Sequence, residues 1–157
     1  KNDNNDYSSG KMLVNGFFRE YCAFYHLERR EYSFQKYTIE VLQDMGYSIE
    51  KEEEKIQMQK RFNGMDSHIT PCSDLIAVKG NQRYVMELKL SDDISKIEKA
   101  IGQLIFARYM YSKKGIKNHY CIVVPKEPKH LVSDAFNDFD LFIALLKTKY
   151  HIELLYI

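Results

Sequence analysis

Asp74, Glu87 and Lys89 are the residues of this chain best able to do chemistry together. They sit in two apolar runs of strand length, 73–78 and 83–90, joined by Lys79-Gly80-Asn81-Gln82. Gly-Asn between such runs is a strong hairpin signal. An even-length turn centred between Gly80 and Asn81 sets Asp74 opposite Glu87, Ile76 opposite Val85 and Val78 opposite Arg83. Side chains alternate faces along a strand, so Glu87 and Lys89 point the same way, beside Asp74. Directly opposed residues have Cβ atoms roughly 5 Å apart, where like charges are destabilising. Two carboxylates at that separation repel by roughly 3 kcal/mol when the effective dielectric is about 20. Lys89 offsets part of this. A hard divalent cation, which takes carboxylate oxygens and keeps several waters, offsets more. The plain alternative is an Asp-Lys-Glu salt bridge on an exposed sheet face.

The elements that must position these residues follow from periodicity and breakers. The aromatic pattern of Phe17, Phe18, Tyr21, Cys22, Phe24, Tyr25 and Leu27 predicts a helix from Phe17 to Arg30. Ser33 can cap a second helix to Met45, with Phe34, Tyr37, Val41, Leu42 and Met45 as its stripe and Gly46 as its stop. Tyr47 to Arg61 reads as one strand with a charged, solvated middle, and Phe62 to Cys72 as a loop leading into Asp74. After the hairpin a helix is expected from Ile94 to Tyr111, with Ile94, Ile97, Ile101, Leu104, Ile105 and Arg108 facing the sheet. That stripe leaves Gln103 to one side, with Lys96 and Lys99. His119 to Val124 has the continuous apolar character of a strand buried on both faces. A helix to Thr148, capped by Ser133 or Asp134, and a strand from His151 to Ile157 close the chain. Strand, helix, strand requires a crossover, so the sheet is mixed and covered by helices on both faces.

Length and composition limit the function classes. The 157 residues suit one domain with a sizeable core, and 13% aromatic content makes that core rich in Tyr and Phe. The expected organisation is a polar tail over 1–12 and a single domain over 13–157. A formal charge of +1 rules out a global basic field, so any nucleic-acid contact must be local. Cys22, Cys72 and Cys121 fit neither a disulfide framework nor a zinc site, and reduced thiols point to an intracellular setting, cytoplasm or nucleus and nucleoid. No apolar run can span a membrane. There is no Walker motif, Rossmann fingerprint or nucleophile elbow, and Cys72 has no placed base. The five histidines have no metal-ligand spacing and read as structural or solvated; His68 stands out only because its loop leads to Asp74.

Asp74, then Glu87-Leu88-Lys89 on the next strand, then the helix carrying Gln103 and the strand 120–124, resemble the PD-(D/E)XK nuclease superfamily. The resemblance covers roughly residues 33–124. It implies an α/β, restriction-endonuclease-like fold: a central mixed β-sheet flanked by helices, with an α-β-β-β-α-β core, an extra N-terminal helix and a C-terminal helix and strand. It also implies a catalytic set of Asp74, Glu87, Lys89 and Gln103, and Mg²⁺ (or Mn²⁺) on Asp74, Glu87 and the Leu88 carbonyl. Many members add an acid from the first helix, for which Glu31 and Glu40 both qualify and projection favours Glu31. Lys96 and Lys99 are candidate phosphate contacts. The expected partners are nucleic acid, DNA ahead of RNA, and a second copy of the chain in a homodimer; no membrane partner is expected. The reading from another class is a non-catalytic nucleic-acid-binding or protein-interaction module that keeps the nuclease fold.

Overall fold

A computed structural model describes residues 17–50, 74–110, 117–131 and 138–157. The expected tail, the loop before Asp74 and most of the charged strand of the second quarter of the chain lie outside the described residues, as do the caps expected at Ser133 or Asp134.

Among the described residues, two helices come first. α1 (Phe18–Phe24) is shorter than the aromatic pattern predicts. It ends because His26 adopts a left-handed backbone, φ 53°. The Leu27 N–H then bonds to the Cys22 carbonyl at 2.8 Å and the His26 N–H to Ala23 at 3.4 Å, a Schellman closure made with histidine in place of glycine. α2 (Glu31–Asp44) ends the same way at Gly46, φ 90°, where Tyr47 bonds back to Leu42. Its start differs from expectation. Ser33 lies inside the first turn, and its hydroxyl donates to the Glu28 carbonyl, stitching the preceding loop rather than capping the helix. Phe34, Tyr37, Val41 and Leu42 form the buried stripe, while Met45 is half exposed.

Among the described residues five strands follow, in the spatial order of the chain: β1 (Ser48–Ile49), β2 (Leu75–Lys79), β3 (Gln82–Leu88), β4 (Lys117–Val124) and β5 (Ile152–Tyr156). The first three are antiparallel neighbours; β3, β4 and β5 are parallel. The hairpin register is the one the turn demands, with Ile76 opposite Val85 and Val78 opposite Arg83. Gly80 takes φ 63° at the first turn position, a conformation that suits a two-residue hairpin and costs a side chain dearly.

The parallel pairs need crossovers, supplied by α3 (Ile94–Met110) and α4 (Asp138–Tyr150). Both pack on one sheet face, where Ile97, Leu104 and Leu146 meet Ile76, Val85, Ile122 and Ile152. α1 and α2 cover the other face, where Phe18, Phe34 and Tyr37 meet Leu75, Ala77, Met86 and Leu88. The result is a three-layer α/β arrangement around a mixed sheet. Among the described residues, no helix is long and apolar enough to cross a membrane.

The buried line of α3 is Ile97, Ala100, Leu104 and Ala107. Ile94 and Ile105, expected to face the sheet, are about half exposed, at 51% and 50%. Burial of the two alanines turns the contact line away from Ile105 and toward Gln103.

Candidate active site at the end of the hairpin

β2–β3 pairing stops at Leu75 and Met86. Asp74, the next residue out, continues the register with its side chain. Its Oδ2 accepts the Leu88 N–H at 2.9 Å, so the carboxylate takes the place of the next rung of the ladder. Its backbone carbonyl accepts from Gln35 Nε2 of α2, also at 2.9 Å. Asp74 is therefore tied to the neighbouring strand and to a helix of the opposite layer.

Glu87 and Lys89 follow on the face that carries Val85. Both are buried, with 1% and 5% of their surface exposed. This overturns the plain alternative of a solvated ion pair on an exposed sheet face. Lys89 is held past the end of β3 by its N–H, which donates to the Val123 carbonyl of β4 at 2.9 Å.

The carboxyl group of Glu87 is pushed up to about 9, first by burial and then by the charge and hydrogen bonding of Asp74. Lys89 and a hydrogen bond from the Asp74 backbone pull it down without cancelling the rise. Oε2 of Glu87 is buried and has no hydrogen-bond partner. The Asp74 carboxyl comes near enough to favour a shared proton but gives that oxygen no hydrogen bond of normal geometry. A buried acid next to a second acid, with an orphaned oxygen, is an arrangement that a bound cation would relieve.

Gln103 of α3 is half-buried, and its Oε1 is also buried without a partner. The α3 rotation brings it to the flank of the sheet contact, yet no hydrogen bond joins this oxygen to the three hairpin residues. Lys96 and Lys99, on the first turns of α3, are exposed. Leu88 is buried on the opposite face and enters the site through its backbone.

Gln35 is a site residue that sequence reasoning missed; a lone glutamine inside a helix carries no signal of what it will touch. Its contact shows which side of α2 looks toward Asp74. Glu31 lies one turn earlier on that side and is exposed. Glu40 lies on another side, where its carboxyl engages Tyr21 and helps to raise that phenol, after burial, above its usual range. Glu31 thus shares the Gln35 side of α2, and Glu40 does not.

A second polar cluster closes the carboxyl end of the parallel strands. His130 Nδ1 accepts the Glu127 N–H at 3.1 Å, so its Nε2 carries the proton and donates to Asp92 Oδ2 at 3.0 Å. Tyr156 donates to the same oxygen at 3.3 Å. Both ring nitrogens are committed, which makes His130 structural, as expected of the histidines.

Among the described residues, no group of three or more His, Cys, Asp or Glu side chains could hold a metal ion. The donors present are two hard carboxylates and backbone oxygen, a set suited to an ion that keeps several waters. Compared with protein families, with curated proteins and with solved structures, the chain finds no match in any of the three.

Proposed function

We propose that this protein is a divalent-metal-dependent nuclease of restriction-endonuclease-like fold, hydrolysing phosphodiester bonds of nucleic acid, with DNA the favoured substrate. The observation that carries the proposal is buried Glu87 set against half-buried Asp74 and beside buried Lys89. The order helix, three antiparallel strands, helix, parallel strand supports it, because that order is the core of the superfamily the motif resembles.

Asp74 and Glu87, with the Leu88 carbonyl, would hold Mg²⁺ or Mn²⁺. When bound, the ion supplies Lewis-acid stabilisation of the phosphate and lowers the pKa of water. The remaining work falls to the chain. Asp74 is pre-positioned by the Leu88 N–H and by Gln35, so it needs no reorganisation on binding. Glu87 must lose its proton to act as a ligand. Lys89 places a positive charge on the same face, where it orients the attacking water, assists its deprotonation and stabilises charge developing on the phosphate. Gln103 offers a polar group from α3 to the water or the substrate. Lys96 and Lys99 are available to phosphates next to the cleaved bond.

The test is cleavage of single-stranded, double-stranded and branched DNA, and of RNA, in Mg²⁺ or Mn²⁺. The expected result is hydrolysis that disappears with chelator, in Asp74→Ala and in Lys89→Ala. Hydrolysis that persists in these variants means that the site is elsewhere. A correctly folded protein that cleaves none of these substrates favours the non-catalytic module.

A further inference from the structure

The far end of the sheet from Glu87 carries a cavity of about 700 Å³ that the proposed chemistry does not use. It opens where α3 and α4 end over the first residues of β4 and β5. Its lining includes Arg108, Lys117, His119, Lys147 and His151, with Glu153 as the one carboxylate among the lining residues.

These groups are held unequally. Arg108 Nη2 donates to the carbonyls of Tyr150 and His151, and its guanidinium lies over the Tyr120 ring, 4.8 Å from the centroid. Arg108 thus neutralises the negative end of α4 and fixes one wall. His119 is stacked on Tyr84 with centroids 4.7 Å apart, and its Nε2 is buried without a hydrogen-bond partner. Lys117 is exposed, and exposed Lys147 approaches half-buried Glu153 at 3.8 Å. With the α4 terminus answered by Arg108 and Glu153 by Lys147, the cavity keeps an excess of positive charge, carried by exposed Lys117. That chemistry suits a phosphate.

Its position says whose phosphate. Glu87 pairs with Ile122 and Gln82 with Lys117, so the cavity lies about five strand residues from the hairpin site, roughly 16 Å. Along a nucleic-acid strand that is roughly five nucleotides. α3 bridges the two ends, with exposed Lys96 and Lys99 at the hairpin end and Arg108 at the cavity. We infer that this cavity is an anchoring site for the phosphate backbone of nucleic acid, engaging the substrate several nucleotides from the cleaved bond. The inference rests on the nuclease reading for its substrate, but its test reads binding and not cleavage.

The test uses the full chain in chelator and fluorescein-labelled DNA and RNA, single- and double-stranded, about 20 nucleotides long, with a strand of about 4 nucleotides as the short probe. Anisotropy is measured across a salt series. The variant Lys117→Ala/Lys147→Ala is expected to bind the long probes roughly tenfold more weakly and to lower the slope of log affinity against log salt by about 1.5. Binding of the short probe, which cannot span the cavity and the hairpin at once, is expected to weaken much less. Lys117→Arg/Lys147→Arg should restore the slope, and Lys36→Ala on α2 should leave it alone. An unchanged slope in the alanine pair, equal weakening of short and long probes, or no binding to any of these nucleic acids overturns the inference. A slope that falls as expected in a protein that cleaves nothing keeps the anchor and removes the hydrolase reading. Cleavage with an unmoved slope does the reverse.

Discussion

β3 buries two ionisable side chains on one face, four residues apart, and treats them in opposite ways. Arg83 is 1% exposed and meets Glu50 at 2.6 Å, an opposite charge in good geometry. Glu87 is equally buried and meets Asp74, a charge of the same sign. The strand, the face and the depth are the same, so burial alone does not explain the difference. At this depth the fold sets a carboxylate against Arg83, whereas the charge that weighs most on Glu87 is a second carboxylate. A like-charge contact kept beside an opposite-charge one on the same strand is the feature on which the proposal of a cation at the hairpin end rests.

The sharpest way to break this contrast is at the carboxylate end. Lys89→Ala and Asp74→Ala are expected to lower the cleavage rate at saturating substrate by about 1,000-fold or more, with the fold intact by circular dichroism. At the other end the effect should appear in stability and not in rate. Arg83→Met leaves Glu50 without its partner and is expected to cost about 3 kcal/mol in urea unfolding. The double variant Arg83→Met/Glu50→Met should recover most of that loss, because it removes both charges together.

Glu87→Gln sharpens the comparison through pH. The folded-state pKa of Glu87 is raised, from 4.5 to about 9, so the folded protein holds a proton that the unfolded chain releases. Stability from this group is therefore full below pH 4.5 and lost as pH rises toward about 9. In chelator, Glu87→Gln is expected to flatten this decline and to melt about 5 °C above the parent at pH 8. The same variant should be inactive. A parent whose melting temperature rises over that window would contradict the assignment. The smallest effect belongs to Gln35→Ala, which removes one hydrogen bond to the Asp74 carbonyl. It should cost about 1 kcal/mol of stability and slow cleavage several-fold without changing substrate affinity.

Much of this was legible in the residues themselves. The hairpin register follows from Gly-Asn and two alternating runs, and it brings Asp74 to Glu87 with no further information. The mixed sheet follows from strand, helix, strand. What was not legible depended on tertiary packing. Ile94, Ile105 and Met45 fit their helical stripes but are about half exposed, while Ala100 and Ala107, too small to register as a stripe, are buried. α1 stops early because histidine takes a backbone conformation usually left to glycine. Gln35 and the Arg108 cavity escaped notice because single polar residues far apart in the chain announce nothing about where they meet. The depth of Glu87 and Lys89 was also hidden: alternation gives a face, but only the helix lying over that face decides whether it is wet.

The central claim is that Asp74 and Glu87 share one hard ion, and isothermal titration calorimetry with Mg²⁺ or Mn²⁺ at pH 7.5 in two buffers of different ionisation enthalpy tests it most directly. The account predicts binding of one ion with release of close to one proton, supplied by Glu87, and loss of both the binding and the proton in Glu87→Gln and Asp74→Asn. No binding to the parent protein, or binding of the same strength without proton release in both variants, would contradict it.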